Sequence, residues 1–212
     1  MTIQSNDTNK KINGSTISER IKAMAKKQFF SYGLKSVSMD DLARMSGVSK
    51  KTIYQYYENK DVLVYAVVMD QIQLHERLLS SYQSIANEAI DEVLMWDTQL
   101  FEIWTNIHHR FFYEVRKYYP EALLELKDYS LKMRNFIIGN LEWGKKEGLY
   151  RNDINIALIA ELRMQQQICL LRSQFAITQK FTTDRLAKEI TVLHLRSITT
   201  EKGKLLLNNY FE

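Results

Sequence analysis

Two helix-start signals separated by a single glycine, within SMDDLARMSGVSKKTIYQYYENK (residues 38–60), constrain this chain more than any other feature. Ser38 can cap the amide of Asp41 while the Asp41 carboxylate reaches back, and Val37 and Leu42 stand at the spacing of a hydrophobic staple. Gly47 tolerates the positive φ that ends a helix and turns the chain. Ser49 caps the next helix, with Val48 and Ile53 as a second staple. The spacing predicts helix, turn and helix within about twenty residues.

In a helix beginning at Lys50, Ile53 and Tyr57 share one face and read as core, whereas Lys51, Thr52, Gln55 and Tyr56 point elsewhere. Lys50 and Lys51 occupy the first turn, where the helix dipole disfavours cations until an anion arrives. Backbone amides, these lysines and the hydroxyls of Thr52, Tyr54 and Tyr56 are donors suited to phosphate oxygens, and Gln55 and Lys51 suit base edges in a major groove. Lys60 extends the basic strip. A DNA-facing surface of Ser38, Ser49, Lys50, Lys51, Thr52, Tyr54, Gln55, Tyr56 and Lys60 is therefore expected. A solvated helix with tyrosines at domain edges is the bland alternative for the segment alone.

GVSKKTIYQYYENKDVL is similar to the helix-turn-helix signature of TetR-type transcriptional regulators, whose usual form is close to GVSKGTLYHYFPSKEEL. Upstream, Ile21, Ala25, Phe29 and Gly33 resemble the first-helix positions of that family, and Ser38, Leu42 and Ala43 its second helix. Two departures stand out. Lys51 replaces a common glycine, so a side-chain contact can replace close backbone approach to DNA. Tyr57 replaces the usual phenylalanine, leaving a hydroxyl that needs a partner or solvent.

One proline and seven glycines in 212 residues suit long helices rather than a turn-rich sheet protein, and 45% hydrophobic content supports a substantial core. The expected fold is all-α: a disordered arm at 1–14, a three-helix DNA-binding domain at 15–60, and a larger helical regulatory and dimerisation domain at 61–212. Residues 1–60 hold 11 Lys and Arg against 5 Asp and Glu, the remainder 18 against 20, the asymmetry expected when one end meets a polyanion. The lone Cys169 excludes a disulfide framework and a cysteine-rich metal site. With a polar start and no apolar run of the roughly 18 residues that span a membrane, a soluble cytoplasmic protein without membrane contact is expected.

Helical spacing continues along the chain. Ser15 or Thr16 can cap a first helix ending at Gly33, and Asn59 a fourth containing Val62, Leu63, Ala66, Val67, Met69 and Ile72. Apolar positions from Glu88 to Tyr119 read as helix stopped by Pro120, Glu121–Lys146 as another, and GLYRND as a break before a helix over Ile154–Gln174. Thr182 or Thr183 opens the next helix, and the ending resembles the short closing helix of one TetR subgroup.

A single recognition helix reads few bases, so two copies on half-sites about 34–36 Å apart are expected on a double-stranded operator. The resemblance implies a homodimer built on the last two long helices, where Leu158, Ile159, Leu162, Leu186, Ile190 and Leu193 have suitable spacing; burial within one subunit fits each equally. It also implies a small effector inside the second domain. Trp96, Trp104, His108, Phe111, Phe112, Met133 and Phe136 form an aromatic and Met-rich set that can line such a cavity, and each also fits plain core. His108 and His109, adjacent in one helix, would point about 100° apart, so no metal is expected, nor any other cofactor. An enzyme is not expected, because the chain offers no glycine-rich phosphate loop, no nucleophile with a base and no HExxH pair. The competing readings are a helical scaffold whose helix-turn-helix binds protein, and a helical enzyme.

Overall fold

The computed structural model describes the backbone of residues 4–104, 107–171 and 180–210, and side chains over the same ranges except 4–15, 98–104, 169–171 and 183–184. In chain order the helices are α1 (Gln4–Tyr32), α2 (Met39–Met45), α3 (Lys50–Tyr56), α4 (Lys60–Ile85), α5 (Ala89–Trp104), α6 (His109–Tyr118), α7 (Pro120–Lys146), α8 (Ile156–Leu171), α9 (Thr183–Ile198) and α10 (Glu201–Asn209). An isolated antiparallel bridge pairs Tyr150 with Thr199 among the described residues. No described helix is long and apolar enough to cross a membrane.

Helix boundaries follow local chemistry. The Asn59 Oδ1 accepts the Val62 amide at 3.0 Å, and Thr182 and Thr200 cap α9 and α10. Pro120 opens α7, where its missing N–H costs nothing. Gly148, at φ 70°, ends α7: Leu149 N–H reaches the Gly144 carbonyl and Gly148 N–H the Lys145 carbonyl, the paired bonds of a Schellman cap.

One stretch differs from the sequence reading. The expected single helix over 88–119 is two, α5 and α6, and His108 lies just before α6. The His108 and His109 rings therefore stack at 4.3 Å instead of diverging.

The chain divides into two compact units, one of Met1–Gln71 with Arg110–Leu126, the other of Ile72–His109 with Lys127–Glu212. The unit carrying the helix-turn-helix includes residues 110–118 of α6. Its core includes Ile21, Phe29, Leu42, Ile53, Leu63 and Phe111, each worth roughly 1.5–3 kcal/mol of burial. In the second unit Trp96, Leu141, Tyr150 and Leu195 are buried. A Cβ on Gly144 would overlap the Tyr150 ring, so that glycine is required by close packing.

The second unit also buries polar groups, which must find partners. Arg163 of α8 donates to the Asp97 carboxylate of α5, which also accepts from Thr191 of α9. This ties three helices together. Asn140 donates to the Ala89 carbonyl at 2.8 Å and to Glu92 at 2.7 Å, and accepts from the Tyr150 hydroxyl at 3.2 Å.

Candidate nucleic-acid interface

The reading head is assembled from local bonds. Ser38 and Asp41 form the full capping box: the Asp41 amide donates to the Ser38 hydroxyl at 3.1 Å and the Ser38 amide to the Asp41 carboxylate at 3.3 Å, which also accepts from the Ser38 hydroxyl at 2.6 Å. These bonds hold the Asp41 carboxyl below its usual range. After α2 the chain turns at Gly47, φ 62°, with Val48 N–H on the Ala43 carbonyl and Gly47 N–H on the Arg44 carbonyl. This Schellman turn fixes the direction in which α3 leaves. Ser49 then accepts the Thr52 amide at 3.0 Å and lies 2.7 Å from the Thr52 hydroxyl.

α3 presents two distinct faces. Ile53 and Tyr57 are buried, at 0% and 6% exposure. Lys51, Tyr54 and Gln55 are exposed, and Thr52 and Tyr56 half-buried. Lys50 is exposed and pairs with Asp40 of α2 at 2.8 Å, an arrangement that raises its ammonium above the ordinary value. A phosphate would compete for Lys50 with a solvent-screened partner, a weak one.

Lys60 has a different occupation from the one expected. Its ammonium donates to the carbonyls of Leu34 and Val37 and lies 5.7 Å from the centre of the Phe29 ring. Burial pushes it below the usual lysine value. Two turn carbonyls thus hold Lys60 from within the unit.

The extra hydroxyl of Tyr57 has a partner: it lies 3.0 Å from the Ser18 hydroxyl and reaches the Ser18 carbonyl at 3.2 Å. Sequence reasoning missed that Lys22 and Lys26 of α1 both pair with Asp70 of α4, at 3.4 and 2.8 Å, bracing the head. It also missed Glu114 of α6, whose carboxylate accepts the backbone amides of Leu34 and Lys35 at 2.5 and 2.9 Å. The separation of these partners along the chain left no local signal.

Residues 21–67 match the family model of bacterial regulatory proteins of the tetR family. Over those residues the chain resembles the DNA-binding region of the TetR family. Among its relatives is an uncharacterised helix-turn-helix transcriptional regulator, YvaF, of Bacillus subtilis (strain 168), 26% identical over 171 residues, which span 79% of this chain and 88% of the relative. A TetR-family transcriptional regulator from Agrobacterium tumefaciens superposes with a TM-score of 0.76 at 16% identity, over 88% of this chain and 100% of that one. AibR, solved in complex with isovaleryl coenzyme A and operator DNA, does so with a TM-score of 0.65 at 16% identity, over 84% and 97%. The protein is a DNA-binding transcriptional regulator, and α2–turn–α3 lies within the residues that match the family model.

Of the seven residues expected around an effector, Phe111 packs edge-on against Phe30 of α1 at 4.9 Å, 1% exposed, with Phe112 at 5.5 Å, in the unit that carries the helix-turn-helix. In the second unit Trp96 packs on Phe136 at 5.3 Å and Met133 is buried. His108 stacks on His109. The Trp104 side chain, like that of Cys169, lies outside the described residues.

Proposed function

We propose that this protein is a cytoplasmic homodimeric repressor that holds a palindromic operator through two copies of α3 and releases it when a small molecule binds the regulatory part of the chain. The observation that carries the reading is the display of α3, with Lys51, Tyr54 and Gln55 exposed opposite the buried Ile53 and Tyr57. Base-edge contact falls to Lys51 and Gln55, and phosphate contact to Ser38, Ser49, Lys50, Thr52, Tyr54 and Tyr56. Residues 15–60 are the reading part in this scheme and 61–212 the regulatory and dimerisation part.

Dimerisation is supported by three leucines left in water on α8 and α9. Leu158, Leu162 and Leu193 are 56%, 51% and 65% exposed, and a second copy laid on these helices would cover them. Leu186 and Ile190 pack partly on Ala187 and keep an open side, and Ile159 is half-buried, so all three can serve both burials. The operator and small-molecule complex of AibR supports the effector scheme. An effector lowers operator affinity only by as much as it prefers the state that fits the operator less well.

Selection of bound duplexes from a random pool by the purified protein tests the proposal. A two-fold symmetric sequence with half-sites about one helical turn apart, or a multiple of it, is the expected product. Failure to enrich any sequence, with affinity independent of salt, would overturn it. Sedimentation of the free protein as a monomer at micromolar concentration would remove the dimer.

A further inference from the structure

We propose that Glu114 and Lys60 form a two-sided clamp on the turn between α1 and α2, and that Glu114 is a positioning residue for DNA recognition. The turn has little structure of its own. Its internal bond, from the Val37 amide to the Leu34 carbonyl, is long at 3.4 Å. Its polar groups go instead to two charged side chains of opposite sign. Glu114 takes the amides of Leu34 and Lys35, at 2.5 and 2.9 Å, while Lys60 takes the carbonyls of Leu34 and Val37, the latter at 2.5 Å. Leu34 is thus held at both ends of its own backbone, one end by α6 and the other by α4.

The fit around the turn is close. Gly33 has φ 83°, where an L side chain is strained, and a Cβ there would press at 3.1 Å on both Arg110 Cβ and Glu114 Oε2 of α6. Leu34 and Val37 are 0% and 5% exposed and Glu114 is 6% exposed, which shields the Leu34–Glu114 bond from water, while the bonds of Lys35 and Lys60 are partly buried. On the outer side Lys35 donates to the Tyr118 hydroxyl of α6 at 2.8 Å. The charges also sense each other, since Glu114 partly offsets the burial that lowers the Lys60 ammonium.

The turn delivers the chain to the Ser38 cap, and the Schellman turn at Gly47 holds α3 to α2. What holds residues 33–37 therefore sets the orientation of α2 and α3 together. Eighty residues separate Leu34 from Glu114. Residues 15–60 consequently do not complete the reading head by themselves: α6 supplies the carboxylate that seats its second helix.

The test uses the full-length protein with Glu114→Gln, which keeps an oxygen acceptor for both amides, and Glu114→Leu, which keeps the bulk without it. By native-state hydrogen exchange, Glu114→Leu is expected to speed exchange of the amides of residues 34–56 by about tenfold or more while those of α7 and α9 keep their wild-type rates, with Glu114→Gln close to wild type. Exchange that rises equally in all helices, or not at all, would overturn the clamp. The second readout rests on the operator reading above: the ratio of affinities for the selected duplex and for one respaced by a base pair. Glu114→Leu is expected to flatten that ratio about tenfold and Glu114→Gln to restore it. Equal losses on both duplexes would mark Glu114 as merely structural. A wild-type protein that binds no duplex would remove the operator reading, and the exchange experiment would still decide the clamp. Should Glu114→Leu not fold, Glu114→Gln against Lys60→Met decides: Lys60→Met must loosen residues 34–56 selectively, and a uniform loss refutes the proposal.

Discussion

The hydroxyl of Tyr57, at the end of α3, lies 3.0 Å from the hydroxyl of Ser18 on α1. At a position where relatives usually carry phenylalanine, the added oxygen has become a tie between the recognition helix and the helix behind it. Tyr57→Phe is expected to cost about 1 kcal/mol, the net value of a typical hydrogen bond. The denaturant midpoint measures it, and Tyr57→Phe combined with Ser18→Ala should cost no more than the sum of the two singles.

Gly47 and Gly144 separate two uses of glycine. At Gly47 φ is 62° and a Cβ would meet nothing within 4 Å, so Gly47→Ala should cost only backbone strain, roughly 1–2 kcal/mol, with Gly47→Asn milder. Gly144 has no such φ, but its Cβ would run into the Tyr150 ring, and Gly144→Ala should cost at least as much, with Tyr150→Leu relieving part of it. Thermal melting orders the four variants.

His75 and His194 bear on acid stability. Burial pushes His75 from 6.5 to about 4, and burial together with Arg163 pushes His194 to about 3. Both imidazoles stay neutral in the folded chain while the unfolded chain takes up protons below pH 6.5. The unfolded state therefore binds more protons in that window, and stability falls as pH drops from 6.5 toward 4. The loss approaches about 1.4 kcal/mol per histidine for each full pH unit. Denaturation at pH 6.5 and 4.5 should show it, and a His75→Phe variant that folds should have a shallower dependence; an unchanged slope would contradict this account.

The Arg163–Asp97 pair is buried on both sides, at 1% and 4% side-chain exposure. Arg163→Met leaves a buried carboxylate without its cation and should cost about 3–5 kcal/mol, whereas Arg163→Met with Asp97→Leu should recover much of that. A double mutant no better than the single, by denaturant unfolding, would argue against the charge as the cause.

On DNA, Lys51→Ala and Gln55→Ala should change the preferred sequence, by about 1–3 kcal/mol per lost base contact. Lys50→Ala should instead reduce the salt slope by about one unit and keep the preference. Lys60→Ala should act mainly on stability, since its ammonium is engaged by the Leu34 and Val37 carbonyls. Titration of selected and scrambled duplexes at several salt concentrations separates the three outcomes.

Sequence by itself determined the features that neighbouring residues decide: the Ser38–Asp41 box, the Gly47 turn, the Ser49, Asn59 and Thr182 starts, and the inward placement of Ile53 and Tyr57. Caps and turns act over three to six residues, so their chemistry can be read along the chain. Tertiary structure alone decided where charges separated by many residues meet. It set Lys60 on the Leu34 and Val37 carbonyls, packed Phe111 against Phe30, paired Arg163 with Asp97, and brought Glu114 onto the Leu34 and Lys35 amides. The physical reason is shared by all four: a buried charge or ring takes whatever partner the packed helices present, and that partner has no fixed offset in sequence.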